Sequence, residues 1–128
     1  MKYIVDTTKT IDQVSQDLQD AVKAHNFGVL HTYDLKETLK TKGIDLPNEC
    51  RIFEICNPGQ AAAVLAEDMA LNMALPCRLS VWETGDNHVK IGMISPVDML
   101  GHLSDSSVLK KIAAEVEDTM KTIIQTAK

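Results

Sequence analysis

Residues 77–94 read CRLSVWETGDNHVKIGMI, and this stretch decides the predicted fold. Two runs with alternating side chains, 77–83 and 88–94, flank the sequence TGDN at 84–87, whose composition is typical of a tight turn. Because side chains along a strand alternate between its two faces, each run has one apolar side and one mixed side. The pattern therefore predicts an antiparallel hairpin with one face on a core and the other face open.

The rest of the chain alternates between strand and helix signals, judged from apolar spacing and capping residues. The further predicted strands are residues 2–5, 27–33 and 50–56. The predicted helices are about 10–25, 34–42, 57–68 and 105–126. Residues 69–75 fit either a helical extension or a compact loop, and a loop carrying Pro96 and Gly101 precedes the last helix. This order predicts an α+β fold, with a mostly antiparallel sheet and helices packed on one face.

Length and charge limit the classes of function. The 128 residues fit a single domain spanning 1–128. Thirteen basic and eighteen acidic side chains leave a net charge of -5, and no basic patch suited to duplex DNA is present. No apolar run reaches the roughly 18 residues of a membrane helix, and the first residues lack a signal-peptide pattern. We therefore expect neither nucleic acid nor a membrane as partner.

The three cysteines, Cys50, Cys56 and Cys77, do not fit a secreted disulfide framework, because their number is odd. Cys50 and Cys56 lie on one predicted strand, about 20 Å apart at about 3.3 Å per residue, which is too far for a disulfide. Strand alternation places Cys56 and Cys77 on opposite faces, so a bond between them would need a bulge or another register. We therefore expect a cytoplasmic protein with free thiols.

The same alternation predicts what the open face of the sheet carries. The predicted open-face residues are Glu54, Cys56, Arg78, Trp82, His88 and Lys90. On the strand at 27–33, the residues predicted to share one face are Phe27, Val29, His31 and Tyr33. Three interpretations of the open face remain: a solvated surface, a ligand or catalytic face, or a subunit interface, where Trp and Arg are enriched.

Cys56-Asn57-Pro58 is the local pattern most suggestive of chemistry. Asn57 is a good N-cap and Pro58 is favoured at the first position of a helix. The helix start would place partial positive charge beside the Cys56 thiol, which favours a thiolate or an anionic ligand. The alternative is that Cys56 is a small buried hydrophobic residue at a strand end. A thiol nucleophile also needs a base, for which His31 or His88 would have to approach through the sheet.

Soft metal ligation is a further hypothesis. Met69 and Met73 lie four residues apart, with Cys56 and Cys77 nearby in sequence, and thioether and thiolate ligands suit Cu(I). Methionine pairs at helical spacing are also typical of core filling or of a flexible interface. No GxGxxG, P-loop, GxSxG or HExxH motif is present, so no cofactor is predicted and the question of catalysis stays open.

Three segments together resemble a known family over nearly the whole chain. They are Phe27-Gly28-Val29-Leu30, then Cys56-Asn57-Pro58 with Ala61 and Leu65, and finally Leu75-Pro76-Cys77-Arg78. The combination is similar to the family called domain of unknown function 302. Members of that family usually carry Gly before the Phe, where this chain has Asn26, a residue that also tolerates a left-handed backbone.

The resemblance implies a β-α-β(4)-α fold, similar in outline to TATA-box-binding-protein-like domains, and a homodimer. It implies no established activity, and the outline does not carry DNA binding with it, because fold does not imply function. It supports as candidate ligand-binding residues Cys56, Asn57, Pro58, Pro76 and Cys77. We therefore expect a homodimer that binds a partner or a small ligand with an anionic group near the Cys56 helix start. The alternatives are a thiol-dependent redox or sulfur-handling protein using Cys56, or a soft-metal binder.

Overall fold

Five antiparallel strands form one sheet in the computed structural model, which describes all residues from Met1 to Lys128. The strands are β1 (Lys2–Thr7), β2 (Gly28–Asp34), β3 (Cys50–Cys56), β4 (Cys77–Glu83) and β5 (Val89–Ile94). Their order across the sheet is β1-β5-β4-β3-β2, and every neighbouring pair is antiparallel. The first and second strands in sequence therefore lie at opposite edges, and the predicted hairpin is confirmed as β4 and β5.

The helices cover one face of the sheet, which confirms the predicted α+β class. They are α1 (Ile11–Ala24), α2 (Leu35–Lys40), α3 (Pro58–Glu67), α4 (Pro96–Gly101) and α5 (Ser107–Ala127). A 3₁₀ segment, Met69–Ala74, follows α3. The apolar sides of α1 and α5 pack on the sheet around a core with Phe53 and Ile55 fully buried. Burial of this apolar surface is the main force holding the layers together.

The first helix begins and ends where the sequence predicts. The hydroxyl of Thr10 accepts a hydrogen bond from the Gln13 amide at 3.2 Å, which satisfies one free donor of the first turn. The Gln13 side chain donates to Asp17 at 2.9 Å instead of returning to Thr10, so only half of a capping box forms. After the helix, Asn26 adopts a φ of 65°, the left-handed conformation that stops a helix.

Of two segments after β3, one differs from its prediction, and for the other the structure decides between the two predicted alternatives. The loop predicted around Pro96 is wrong, because this stretch forms α4: the Ser95 hydroxyl accepts from the Asp98 amide at 3.2 Å and Pro96 takes the first helical position. The ambiguous residues 69–75 form mainly the 3₁₀ segment, where the Asp68 carboxylate accepts from the Ala70 amide at 2.9 Å. Both segments therefore begin at a capped turn.

A β-bulge in β2 makes the face prediction for this strand wrong. Val29 pairs with Ile55, whereas His31 pairs with Glu54, and the register shifts between these two pairs. Leu30 is the extra residue, and 60% of its surface is exposed. A bulge inserts one residue without an opposite partner, so the alternation reverses beyond it. Residues beyond the bulge therefore no longer alternate in step with Val29, and His31 lies on the open face with Glu54.

Candidate functional site

A cavity of about 280 Å³, the inner cavity, lies on the helix side of the sheet where β3 leads into α3. Its walls come from the start of α3, the segment 74–77, α4 and α5. Fourteen of its 18 lining residues are hydrophobic and none is charged, so an apolar molecule is the occupant that these walls suit. The largely exposed Leu30 also lines the cavity, so the cavity reaches solvent beside the β2 bulge.

Most of the residues predicted as ligand-binding meet at this cavity. Those that line it are Cys56, Asn57, Pro76 and Cys77. They converge because β3 and β4 are adjacent strands, in which Ile55 pairs with Cys77. Pro58 does not line the cavity: it is exposed and begins α3. The Leu75–Pro76 peptide bond is cis.

Asn57 occupies two of the amide donors at the start of α3, those of Gln60 and Ala61. The side-chain oxygen of Asn57 accepts from the Gln60 amide at 3.0 Å, and its side-chain nitrogen donates to the Asn26 carbonyl at 3.4 Å. The Asn57 carbonyl accepts from the Ala61 amide at 2.9 Å, and Pro58 has no N–H to offer. With no cationic side chain in the lining, the predicted anionic group has no counter-charge here.

The thiols at the cavity differ in setting, and all three cysteines of the chain are free. Cys77 pairs with Ile55 on the core face, and burial, together with the neighbouring Cys56, raises the pKa of its thiol to about 11. Cys77 is therefore protonated at neutral pH. No histidine ring forms a hydrogen bond with any thiol, and the His31 ring packs edge-on against Tyr33 with centroids 4.5 Å apart. Cys56 thus has no hydrogen-bonded histidine base.

Gln60 is the functional candidate that the sequence interpretation missed. Its side-chain oxygen is buried without a hydrogen-bond partner, and no other buried side-chain nitrogen or oxygen in the chain is left in this state. An unsatisfied buried polar group costs about 1–3 kcal/mol. Gln60 lines the inner cavity, where a ligand donor would satisfy the oxygen. In sequence, a Gln three residues after an N-cap is typical of a capping box, which hides any other role.

The open face carries a larger groove of about 580 Å³, the outer groove. Its apolar lining includes Ile4, Trp82 and Ile94, of which Ile4 is 45% and Ile94 55% exposed. Trp82 packs on Gly92, where an added Cβ would lie 3.0 Å from the indole ring. The segment 74–77 separates the outer groove from the inner cavity, because it lines both.

Ion pairs cross the strands of the open face, where the alternation predicted Glu54, Arg78 and Lys90. Arg78 lies 3.7 Å from Glu54, and Lys90 lies 2.5 Å from Asp6. A hydrogen bond to the Glu54 carboxylate raises the pKa of the Tyr33 hydroxyl. The face therefore presents both signs of charge around its apolar centre.

The side chains and helices also bear on metal and membrane binding. No group of three or more His, Cys, Asp or Glu side chains could hold a metal ion. None of the helices is long and apolar enough to cross a membrane. The cytoplasmic location expected from the free thiols stays a prediction.

Comparison with known proteins identifies the family. A family model described as domain of unknown function DUF302 matches residues 3–127. The chain belongs to the DUF302 family. A crystal structure of an uncharacterized conserved DUF302 protein from Bacillus stearothermophilus is 32% identical to this DUF302 chain, with a TM-score of 0.92. The match covers 99% of this chain and 98% of the other, and no curated protein matches the sequence.

Proposed function

We propose that this DUF302 protein binds a small molecule in the inner cavity. The observation that carries the proposal is the cavity itself, about 280 Å³ of space open to solvent in a domain of 128 residues. Protein interiors pack as densely as organic crystals, and few voids exceed the size of a water molecule. Known ligand pockets begin at roughly 300 Å³ and are mostly apolar, with a few placed polar groups. The inner cavity has this composition.

The chemistry of the walls supports binding rather than catalysis. Cys77 is held in the protonated form by burial, and no histidine is hydrogen-bonded to Cys56 to act as its base. Thiol-dependent redox or sulfur handling through Cys56 therefore has less support than ligand binding. A soft-metal site has less support too, because Met69 and Met73 are largely exposed and neither lines the inner cavity where the two thiols meet. Met73 lines the outer groove, which includes Cys77 but not Cys56.

A cavity-filling variant with a matched control tests this proposal. Ala61→Phe places a ring in the inner cavity, whereas Ala63→Phe places the same ring on the exposed side of α3. We expect small molecules released from purified wild type and from Ala63→Phe, identified by mass spectrometry, to be depleted in Ala61→Phe. We also expect neutral apolar fragments to shift NMR signals of cavity residues in the first two proteins only. The proposal is wrong if no extracted compound and no fragment binds there.

The open face supports a second proposal, that two copies of the chain associate through the outer groove. Ile4 and Ile94 are about half exposed beside Trp82, the only tryptophan of the chain. A two-fold contact apposes one patch to itself, so it needs an apolar centre and charges of both signs at its rim. The Glu54–Arg78 pair supplies both signs next to this apolar centre.

Light scattering of matched variants tests the association. We expect wild type at micromolar concentration to have twice the chain mass of 14.1 kDa. Ile94→Glu puts a charge in the outer groove and should give the single-chain mass. Leu103→Glu is the control, because Leu103 is equally exposed at 55% but lines neither the groove nor the inner cavity. A wild-type mass of 14.1 kDa would refute the proposal.

A further inference from the structure

We infer that the ligand of the inner cavity is an uncharged, largely apolar molecule with one hydrogen-bond donor, anchored by the side-chain oxygen of Gln60. The inference rests on the proposed function, to which it adds the chemical class of the ligand and the residue that orients it. Three features of the cavity carry it: its volume, the absence of charged side chains from its walls, and one buried side-chain oxygen, that of Gln60, which lacks a donor.

The volume sets the size of the ligand. An apolar cavity of about 150 Å³ engineered in another protein takes up benzene. The inner cavity, at about 280 Å³, is nearly twice as large. It therefore suits two fused rings or an aliphatic molecule of similar bulk. Its hydrophobic walls, among them Phe27, Val64 and Ile112, provide the dispersion contacts for such a body.

The walls of the inner cavity disfavour a charged ligand. An ion that enters an apolar site loses its hydration and needs a paired counter-charge to offset the loss. No Lys, Arg, His, Asp or Glu lines the inner cavity. The start of α3 gives little help, because Asn57 caps the Gln60 amide, Pro58 carries no N–H and Gly59 is not among the lining residues. A carboxylate or phosphate therefore has no partner inside.

One polar group remains to fix the ligand. Two amide side chains line the cavity, those of Asn57 and Gln60. Both polar atoms of the Asn57 side chain are engaged: its oxygen accepts from the Gln60 backbone amide, and its nitrogen donates to the Asn26 carbonyl. The side-chain oxygen of Gln60 is buried and has no donor. Gln60 is one of the lining residues, and its backbone is held by the cap on its amide. An O–H or N–H on the ligand would complete this acceptor.

Three probes with one ring system test the inference: naphthalene, 2-naphthol and 2-naphthoate, each titrated into the full chain by calorimetry. We expect 2-naphthol to bind about tenfold more tightly than naphthalene, because it alone brings a donor to Gln60. We expect 2-naphthoate to bind at least tenfold more weakly than 2-naphthol, because its charge has no partner.

Variants of Gln60 then separate the anchor from the cavity. Gln60→Leu and Gln60→Met keep the bulk of the side chain and remove the acceptor, and Gln16→Leu makes the same change at an exposed site on α1. Each Gln60 variant that melts cooperatively should bind naphthalene as wild type does and lose the tenfold preference for 2-naphthol. Gln16→Leu should keep that preference.

The outcomes distinguish the inferred ligand class from the proposed function, which is binding of a small molecule in the inner cavity. A preference for 2-naphthol that persists in both Gln60 variants, or equal binding of 2-naphthoate and 2-naphthol, overturns the inferred ligand class while the cavity remains a binding site. If none of the three probes binds wild type, and Ala61→Phe changes nothing, both the inference and the proposed function fail.

Discussion

The reactivity of Cys77 is the sharpest test of the walls of the inner cavity. Burial raises the pKa of this thiol to about 11. At pH 8 such a group is ionised in about one molecule in a thousand, whereas a free cysteine with a pKa of about 8.5 is ionised in about one in four. Because only the thiolate attacks alkylating reagents, ionisation alone should slow alkylation of Cys77 roughly 250-fold.

The assay is alkylation by iodoacetamide followed over time, with each cysteine located by peptide mass spectrometry. The same protein in denaturant provides the reference, since unfolding exposes all three thiols. We expect the native rate at Cys77 to lie at least 250-fold below its unfolded rate and to rise tenfold per pH unit between pH 8 and 10. Equal native and unfolded rates at Cys77 would refute the packed, apolar wall around this thiol.

Three further predictions test the open face, the start of α3 and one surface ion pair. Gly92→Ala puts a Cβ 3.0 Å from the Trp82 indole, so we expect a loss of about 1–3 kcal/mol in the free energy of unfolding and a red-shifted Trp emission. Unchanged emission would show that the ring does not pack there. Asn57→Ala removes the N-cap of α3, which should cost about 1 kcal/mol, visible in calorimetry as a Tm lower by about 2–5 °C. A Tm equal to that of wild type would contradict the cap. Hydrogen bonding by Lys9 holds the pKa of Asp17 below its ordinary 3.8, so its contribution to stability is complete above that pH and is lost as the pH falls further. Urea midpoints of wild type and Asp17→Asn should therefore converge at low pH, and a constant difference would count against the pair.

Local signals in the sequence predicted most of the fold correctly, because each depends on neighbouring residues. Thr10 caps α1 through the adjacent Gln13 amide, and Asn57 caps α3 through Gln60 in the same way. Gly43 follows α2 with a φ of 77°, as expected of a glycine that ends a helix. The hairpin of β4 and β5 follows from alternation around a short turn.

The errors in prediction arise where distant parts of the chain decide the local structure. The bulge at Leu30 depends on how β2 pairs with β3, so the alternation of β2 alone gave the wrong face for His31. Gln60 matched a capping pattern, yet its side-chain oxygen is buried without a donor, and the residue lines a cavity whose walls come from several strands and helices. A pattern within one segment cannot predict a cavity whose lining residues come from several segments.

By itself, the sequence determined the α+β class, the hairpin, the helix starts and the residues near Cys56 that deserved testing. These depend on side-chain periodicity and on hydrogen bonds between residues a few positions apart. Only the tertiary structure decided that Cys56 and Cys77 share an apolar cavity, that Gln60 is left without a donor there, and that Cys77 stays protonated. Those properties depend on which atoms surround a group, and packing brings together atoms that lie far apart along the chain.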